Sequence, residues 1–191
     1  SVTPATASGH LGKLMAAELL VCEQRGRHRY YKLADDEVAH ALEALALMAE
    51  RRTHTAAWAN PTRQRLRFAR CCYGHLAGQL GVELFSQLLS KEWLSPAGDG
   101  YLLTALGKTG LDAMGFAVDG MDKATASTRL AYRCLDWSER RDHMAGKLPK
   151  VLLAHCLQHG WLRRHDGERA LEVTPLGRKQ LAGLLPSVNA L

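Results

Sequence analysis

The first informative feature of this sequence is the absence of several segments and motifs. No stretch approaches the roughly 18 uncharged apolar residues that a membrane span needs, since the longest candidate, residues 41–49, is interrupted by Glu43. No basic and apolar leader opens the chain, so we expect neither a signal peptide nor a membrane anchor. Phosphate-binding loops, dinucleotide fingerprints and G-x-S-x-G nucleophile elbows are also missing, and we therefore do not expect an enzyme.

Cysteines are also few. The five cysteines are an odd number without the spacing of a disulfide framework, which favours a reduced, cytoplasmic setting. The remaining composition is typical of a globular chain, because 47% of the 191 residues are hydrophobic and 23% are charged. The net charge of +6 does not by itself identify a nucleic-acid binder, so the position of the charge decides its meaning.

Positive charge first gathers in residues 1–34, which carry five basic and two acidic side chains and belong to the first of three blocks of sequence, residues 1–57. Thr3 suits the N-cap of a helix and Pro4 its first position, and apolar residues then recur with helical spacing. β-prone segments flank residues 25–27, which predicts a β-hairpin with a basic tip at Gly26. A second helix is predicted after the hairpin. Its predicted apolar stripe consists of Val38, Ala41, Leu42, Leu45 and Met48.

A helix followed directly by a basic hairpin is an arrangement that binds DNA. The helix presents side chains to base edges in the major groove, and the hairpin places cations beside the phosphates. The predicted DNA contacts are the polar and basic side chains Thr3, Thr6, Ser8, His10, Lys13, Arg25, Arg27 and His28. From the residues alone, a solvated helix beside a charged hairpin is the alternative interpretation.

The same segment carries a family resemblance. It contains S-x-H-L-x-x-L at 8–14, L-V at 20–21 and R-G-R-x-x-Y-Y-x-L at 25–33. These motifs resemble the recognition helix and wing of the ArsR family of bacterial repressors, with Leu19 where the family has a glycine. The resemblance covers roughly the first 50 residues and implies a dimeric winged helix-turn-helix regulator of the cytoplasm. Since the family's recognition helix follows other helices, we expect this DNA-binding domain to be partial, and the intact protein to be needed for operator binding.

The other two blocks, residues 62–115 and 130–185, resemble each other. R-C-C-Y-G-H-L-A-G at 70–78 matches R-C at 133–134 and H-M-A-G at 143–146, and tryptophans and threonines further along also match. The offset grows from 62 at the cysteines to 70 at the threonines, and most of the growth falls in an insertion at 136–141. We interpret each block as a repeat of helix, helix, β-hairpin and helix, similar in outline to a winged helix.

Each repeat supplies one cysteine and one histidine at matching positions. Cys72 and His75 are three residues apart and share a face of the predicted helix, and Cys134 and His143 are their counterparts. If the repeats pack about a twofold axis, these four side chains, with Cys71 nearby, could bind zinc, mercury or arsenic(III), or form a redox disulfide. The alternative is that they are ordinary core residues.

Two further places are weaker candidates. The helix after the basic hairpin and the segment beyond it carry Asp36, His40, Glu50 and His54, near the position of the family's metal site but not at its spacing. The insertion, with its acids, Trp137 and paired arginines, could line an anion or small-molecule pocket. We favour a loop that is anchored by the tryptophan and by internal salt bridges.

The sequence therefore predicts a mainly α protein with small β-hairpins: a winged helix-turn-helix plus a C-terminal domain of two winged-helix-like repeats. We expect a homodimeric repressor of double-stranded operator DNA, released by a small inducer or a thiophilic ion such as zinc or arsenic(III). One alternative is a small-molecule-binding or enzymatic C-terminal domain whose winged-helix segment binds proteins or dimerises. The other is that the repeats serve dimerisation alone.

Overall fold

The computed structural model describes residues 2–50, 60–124, 129–165 and 167–189. In these residues the regular structure consists mostly of helices and two-stranded antiparallel hairpins, as the sequence predicts for a mainly α protein with small hairpins. None of the described helices has the length and apolar character to cross a membrane. The chain divides into two compact units, Ser1–Leu45 and Ala46–Leu191.

The first unit begins with a helix and a hairpin at the predicted positions. Its elements are α1 (Pro4–Ala16), β1 (Leu20–Arg25), β2 (His28–Leu33) and the start of α2 (Asp36–Glu50). The Thr3 hydroxyl caps α1 by accepting a hydrogen bond of 3.2 Å from the backbone N–H of Thr6. Gly26 turns the hairpin with a φ of 60°.

The predicted apolar stripe of α2 does not form its buried face. Ala39 and Glu43 are the buried residues among positions 36–49 of this helix, and they lie on a different side. Leu45 and Met48, by contrast, are about 60% exposed, at 60% and 61%. This part of α2 therefore presents an apolar surface to solvent within the described residues.

The second unit contains both repeats. In the first are α3 (Pro61–Phe68), β3 (Arg70–Cys72), β4 (His75–Ala77), α4 (Gln79–Ser90), β5 (Leu94–Ala97), β6 (Gly100–Leu103) and α5 (Ala105–Ala113). In the second are β7 (Tyr132–Leu135), β8 (Asp142–Ala145), α6 (Lys147–Gln158), β9 (Leu162–Arg164), β10 (Leu171–Val173) and α7 (Pro175–Leu181). Short 3₁₀ helices at Met121–Lys123 and Pro186–Asn189 complete the unit.

The prediction of two successive helices at the start of each repeat is wrong. The segment that contains Cys72 and His75 is a hairpin, because Tyr73 and Gly74 both adopt positive φ, at 47° and 116°, and reverse the chain in two residues. Each repeat therefore alternates hairpin, helix, hairpin, helix, and α3 precedes the first of them.

Each repeat packs one of its helices on a hairpin of the other repeat. Helix α4 of the first repeat packs on β8 of the second, and α6 of the second packs on β4 of the first. The hairpins also cross over, since the N–H of Cys71 donates to the carbonyl of Arg169 at 2.8 Å and the N–H of Tyr101 donates to that of Ala131 at 2.7 Å. One apolar core that runs through both repeats is the result.

Candidate functional site

The predicted DNA-contacting residues lie on α1 and at the tip of the β1–β2 hairpin, and all of them are exposed. At about 100° per residue, Thr6, His10 and Lys13 share one face of α1, and Thr3 is the N-cap of this helix. Ser8 lies on the other side of this helix, about 160° from His10 by the same helical geometry. The hydroxyls of Thr3 and Thr6 are 2.8 Å apart and take part in capping the helix.

Arg25 already has partners within its hairpin. Its Nε and Nη2 donate to the two carboxylate oxygens of Glu23 at 3.0 and 3.1 Å. Its guanidinium also lies 5.6 Å from the centre of the Tyr30 ring. Arg27 and His28 continue the basic tip of the hairpin. The net positive charge at the tip is therefore smaller than the sequence suggests, because Glu23 balances one arginine.

The second candidate site brings together the four residues that the sequence singles out in the repeats. Cys72 and His75 are directly opposite each other in the β3–β4 hairpin, and Cys134 and His143 are directly opposite in the β7–β8 hairpin. One ligand atom from each of the four lies within 4.8 Å of the others. In the described part of the chain this is the one group of three or more potential ligands that converges.

The cluster is closed to solvent. Cys72 and His143 are 0% exposed, and His75 and Cys134 are 2% and 4% exposed. The Nε2 atoms of the two histidines are 3.0 Å apart. Ligand atoms around a tetrahedral zinc ion are about 3.3 Å apart for two nitrogens and about 3.8 Å for two sulfurs. The four ligand atoms, up to 4.8 Å apart, must therefore move closer together to hold a metal ion.

Asp136, at the start of the loop between β7 and β8, links this cluster to the first repeat. Its Oδ2 lies 3.3 Å from Nδ1 of His143, at ion-pair distance but without the alignment of a good hydrogen bond. The same oxygen accepts a 2.7 Å hydrogen bond from the N–H of Gly78, and Oδ1 accepts one of 2.8 Å from Arg70. The carboxylate thus holds both repeats together behind the cluster.

Arg70 is completely buried, and its guanidinium is surrounded by partners. Nη1 donates to the Ser138 hydroxyl at 3.0 Å and to the Leu66 carbonyl at 3.3 Å, and the guanidinium lies 4.5 Å from the centre of the Trp137 ring. Trp137 therefore anchors the loop, as we favoured. The ion pair of Asp136 with Arg70 joins the loop to the other repeat, however, and is not internal to the loop.

The electrostatics of the cluster favour charged side chains. A hydrogen bond with Cys72 and contacts with both histidines lower the pKa of the Cys134 thiol, against the effect of burial. Burial opposes protonation of His143, but Asp136 and Cys134 outweigh it and raise the pKa of that imidazole. Burial likewise opposes ionisation of Asp136, and its contacts with His143 and Arg70 hold the pKa of the carboxyl well below its usual range. The site can therefore supply a thiolate, which is the form of cysteine that binds metals.

The weaker candidates have less support in the structure. His54 lies outside the described residues, so the predicted set around His40 is not described as a whole. Cys71 is beside Cys72 in β3 but packs into the main core instead of the cluster. A separate cavity of about 270 Å³ has an apolar floor and a charged rim. It is lined by Arg65, Phe68, His165, Glu168, Ala170, Leu171, Glu172, Val173 and Arg178.

A helix with an exposed polar face, followed directly by a hairpin with a basic tip, is the arrangement of helix-turn-helix regulators that use a wing. Over 178 residues, which are 93% of this chain, the sequence is 35% identical to a protein of Bacillus subtilis (strain 168) and spans 78% of that protein's length. That protein is called an uncharacterized HTH-type transcriptional regulator, YdfF. The chain therefore belongs to the HTH-type transcriptional regulators. No family model matches the chain, and no solved structure matches it.

Proposed function

We propose that this regulator is an ArsR-type repressor that binds double-stranded operator DNA through a winged helix-turn-helix domain, of which residues 1–57 form a part. The observation that carries the proposal is the exposed polar face of α1 followed by the basic tip of β1–β2, in a chain of the HTH-type regulators. Helix α1 lies in the major groove, where Thr6, His10 and Lys13 reach base edges. Arg27 and His28 contact the neighbouring phosphates.

The repressor acts as a homodimer. Leu45 and Met48 leave an apolar surface on α2 that a second copy of the chain would cover. Two copies of α1 would then read a pseudo-palindromic operator whose half-sites are about one helical turn apart.

The two repeats, residues 62–115 and 130–185, receive the inducer. The cysteine–histidine cluster suits a thiophilic ion or an oxidant, because it combines two sulfurs with two imidazole nitrogens. The cavity of about 270 Å³ supports the second candidate function, binding of a small organic molecule, since an apolar floor with charged groups at its rim is typical of such pockets. In either case the inducer favours a state of the dimer that no longer fits the operator.

The experiment removes the positive charges of the hairpin tip. We expect the double variant Arg25→Ala, Arg27→Ala to bind the DNA upstream of its own coding sequence more weakly than the unchanged protein does. The logarithm of the DNA association constant should also depend less steeply on the logarithm of the salt concentration. The magnitude of this slope should decrease by up to about 2, the value for two lost phosphate contacts. Most of the decrease should come from Arg27, because Glu23 already neutralises Arg25. Fluorescence anisotropy at several salt concentrations measures both quantities.

The matched control is Arg163→Ala, Arg164→Ala, which removes the same charge from the β9–β10 hairpin of the repeats. We expect this control to bind DNA with an unchanged salt slope. If the two double variants behave alike, or if neither differs from the unchanged protein, the β1–β2 hairpin is not a DNA-binding wing and the proposal is wrong.

A further inference from the structure

We propose that Cys72, His75, Cys134 and His143 form a closed tetrahedral site for one divalent cation of the zinc class, and that this cation cross-links the two repeats. The inference rests on the proposed function only in treating the repeats as part of a DNA-binding regulator. It assigns the cluster a resident structural ion, and of the two candidate inducers named above it therefore selects the small organic molecule over the thiophilic ion or oxidant.

The donor set determines the class of ion. Two thiolates and two imidazoles in a tetrahedral arrangement are a usual ligand set for structural zinc. Magnesium and calcium require oxygen ligands, and no carboxylate belongs to the four converging donors. Arsenic(III) is held best by three thiolates, but the nearest third cysteine in sequence, Cys71, packs into a different cluster of the core.

The origin of the donors makes the ion a cross-link. The first repeat supplies Cys72 and His75 from one hairpin, and the second supplies Cys134 and His143 from another. The four ligand atoms meet only because α4 and α6 pack on the hairpins of opposite repeats. A bound cation therefore links the two repeats through four coordinate bonds. Because the four donors do not converge in the unfolded chain, the binding energy of the cation stabilises the folded pair of repeats.

Burial makes the cation resident. None of the four residues is more than 4% exposed, and four protein donors complete a tetrahedron without an open position. An ion can enter or leave only when the two hairpins separate. Exchange should therefore be slow and coupled to opening of the repeats, as expected for a structural site and not for a rapidly reversible sensor.

Asp136 is the positioning residue of this site. Its carboxylate faces Nδ1 of His143, which directs Nε2 of the same ring toward Nε2 of His75. A carboxylate behind a metal-bound histidine fixes the ring and its tautomer. Its loss typically lowers metal affinity about 10- to 100-fold. The bonds from Arg70 and Gly78 hold Asp136 itself in place.

The first test measures metal binding by the full-length protein. We expect the protein to bind one equivalent of Zn²⁺ or Co²⁺, and the Co²⁺ form to show the intense visible bands of tetrahedral coordination with sulfur-to-metal charge transfer. Cys72→Ser and Cys134→Ser should each abolish the charge-transfer spectrum of the unchanged protein or reduce it by about half. Cys71→Ser is the matched control, since it changes the adjacent cysteine of the same strand, and its spectrum and stoichiometry should be unchanged.

The second test keeps all four donors. In Asp136→Asn we expect one equivalent of zinc to bind about 10- to 100-fold more weakly, as measured by competition with a chromophoric chelator. Glu139→Gln, which changes a side chain of the same loop that pairs with Arg67 and does not face His143, should change the affinity less than about threefold. An equal loss in both variants would contradict the positioning role.

Other results would overturn the metal site itself. Failure of the unchanged, folded protein to bind Zn²⁺ or Co²⁺ at micromolar concentration would do so, as would a Cys72–Cys134 disulfide in protein purified under reducing conditions. Rapid exchange of bound zinc, within seconds of adding a chelator, would contradict a structural role. Operator binding is measured on the same samples. If the protein binds the operator but no metal, the metal site is wrong and the proposed function stands. If zinc-loaded protein does not bind the operator, the proposed function is wrong and the metal site stands.

Discussion

The first hairpins of the two repeats hold equivalent cysteine and histidine pairs, but the turns that close them differ. The β3–β4 hairpin turns in two residues, Tyr73 and Gly74, whereas the β7–β8 hairpin is closed by residues 136–141. The longer loop supplies Asp136, which reaches Arg70 and Gly78 of the first repeat. The four donors therefore stand at positions that match between the two repeats, while the carboxylate that holds the repeats together stands in the longer loop of the second one.

We expect the largest loss of stability at Asp136, in the loop by which the two repeats differ. Asp136→Ala leaves the buried guanidinium of Arg70 without its carboxylate and the N–H of Gly78 without an acceptor. Removal of one partner from a buried ion pair costs about 3–5 kcal/mol. We expect the free energy of unfolding, measured by urea denaturation, to fall by about that amount.

The control for this variant lies in the same loop. Glu139→Gln weakens an ion pair with Arg67, whose side chain is 40% exposed, so we expect a loss of less than about 1 kcal/mol. If Asp136→Ala costs no more than Glu139→Gln, the insertion does not join the repeats and the comparison fails.

We expect an intermediate loss of stability, nearly equal in the two repeats, at a glycine that holds the same position in both. Gly107 and Gly177 are the third residues of α5 and α7. A Cβ on Gly107 would overlap the carbonyl oxygen of Trp93, and one on Gly177 would overlap that of Trp161. Each glycine-to-alanine change should therefore cost about 1–3 kcal/mol by overpacking, with the two values within about 1 kcal/mol of each other. Gly183→Ala, which meets nothing within 4 Å, is the control. Thermal unfolding ranks the three, and a large effect at only one of Gly107 and Gly177 would show that the repeats are not equivalent there.

The smallest loss of stability is expected at the N-cap residues of the same two helices, α5 and α7. Thr104 and Thr174 each accept a hydrogen bond from the N–H three residues later, at 2.9 and 3.0 Å. Both hydroxyls also donate to a carbonyl, that of Glu92 at 2.9 Å and that of Gly160 at 2.7 Å, but Thr174 is only 6% exposed. We expect Thr104→Ala to cost about 1 kcal/mol and Thr174→Ala up to about 2 kcal/mol, measured by urea denaturation. The reverse order would contradict burial as the cause.

Local signals in the sequence predicted some elements closely. Thr3 and Pro4 correctly marked the start of α1, and Gly26 correctly marked the turn of the basic hairpin, because capping and turn formation depend on residues that are adjacent in the chain. The hairpin at Cys72 was predicted as a helix. Its strands have three residues each, too few for periodicity to distinguish strand from helix, and Tyr73 gives no sign that it adopts a positive φ.

The candidate metal site was predictable in its donors but not in its surroundings. Matching positions in the repeats identified all four residues, and only packing could show that they meet. The partnership of Asp136 with Arg70 spans 66 residues and depends on the insertion folding over the other repeat. The acidic residues and arginines of the loop at 136–141 did not indicate that Asp136 pairs with an arginine so distant in sequence.

The exchange of contacts between the repeats has a consequence for how the second unit unfolds. Helix α4 packs on β8 and α6 packs on β4, and one apolar core runs through both repeats. Opening either repeat would therefore expose apolar side chains of the other to water. We expect the two repeats to melt together as one cooperative body and not one after the other.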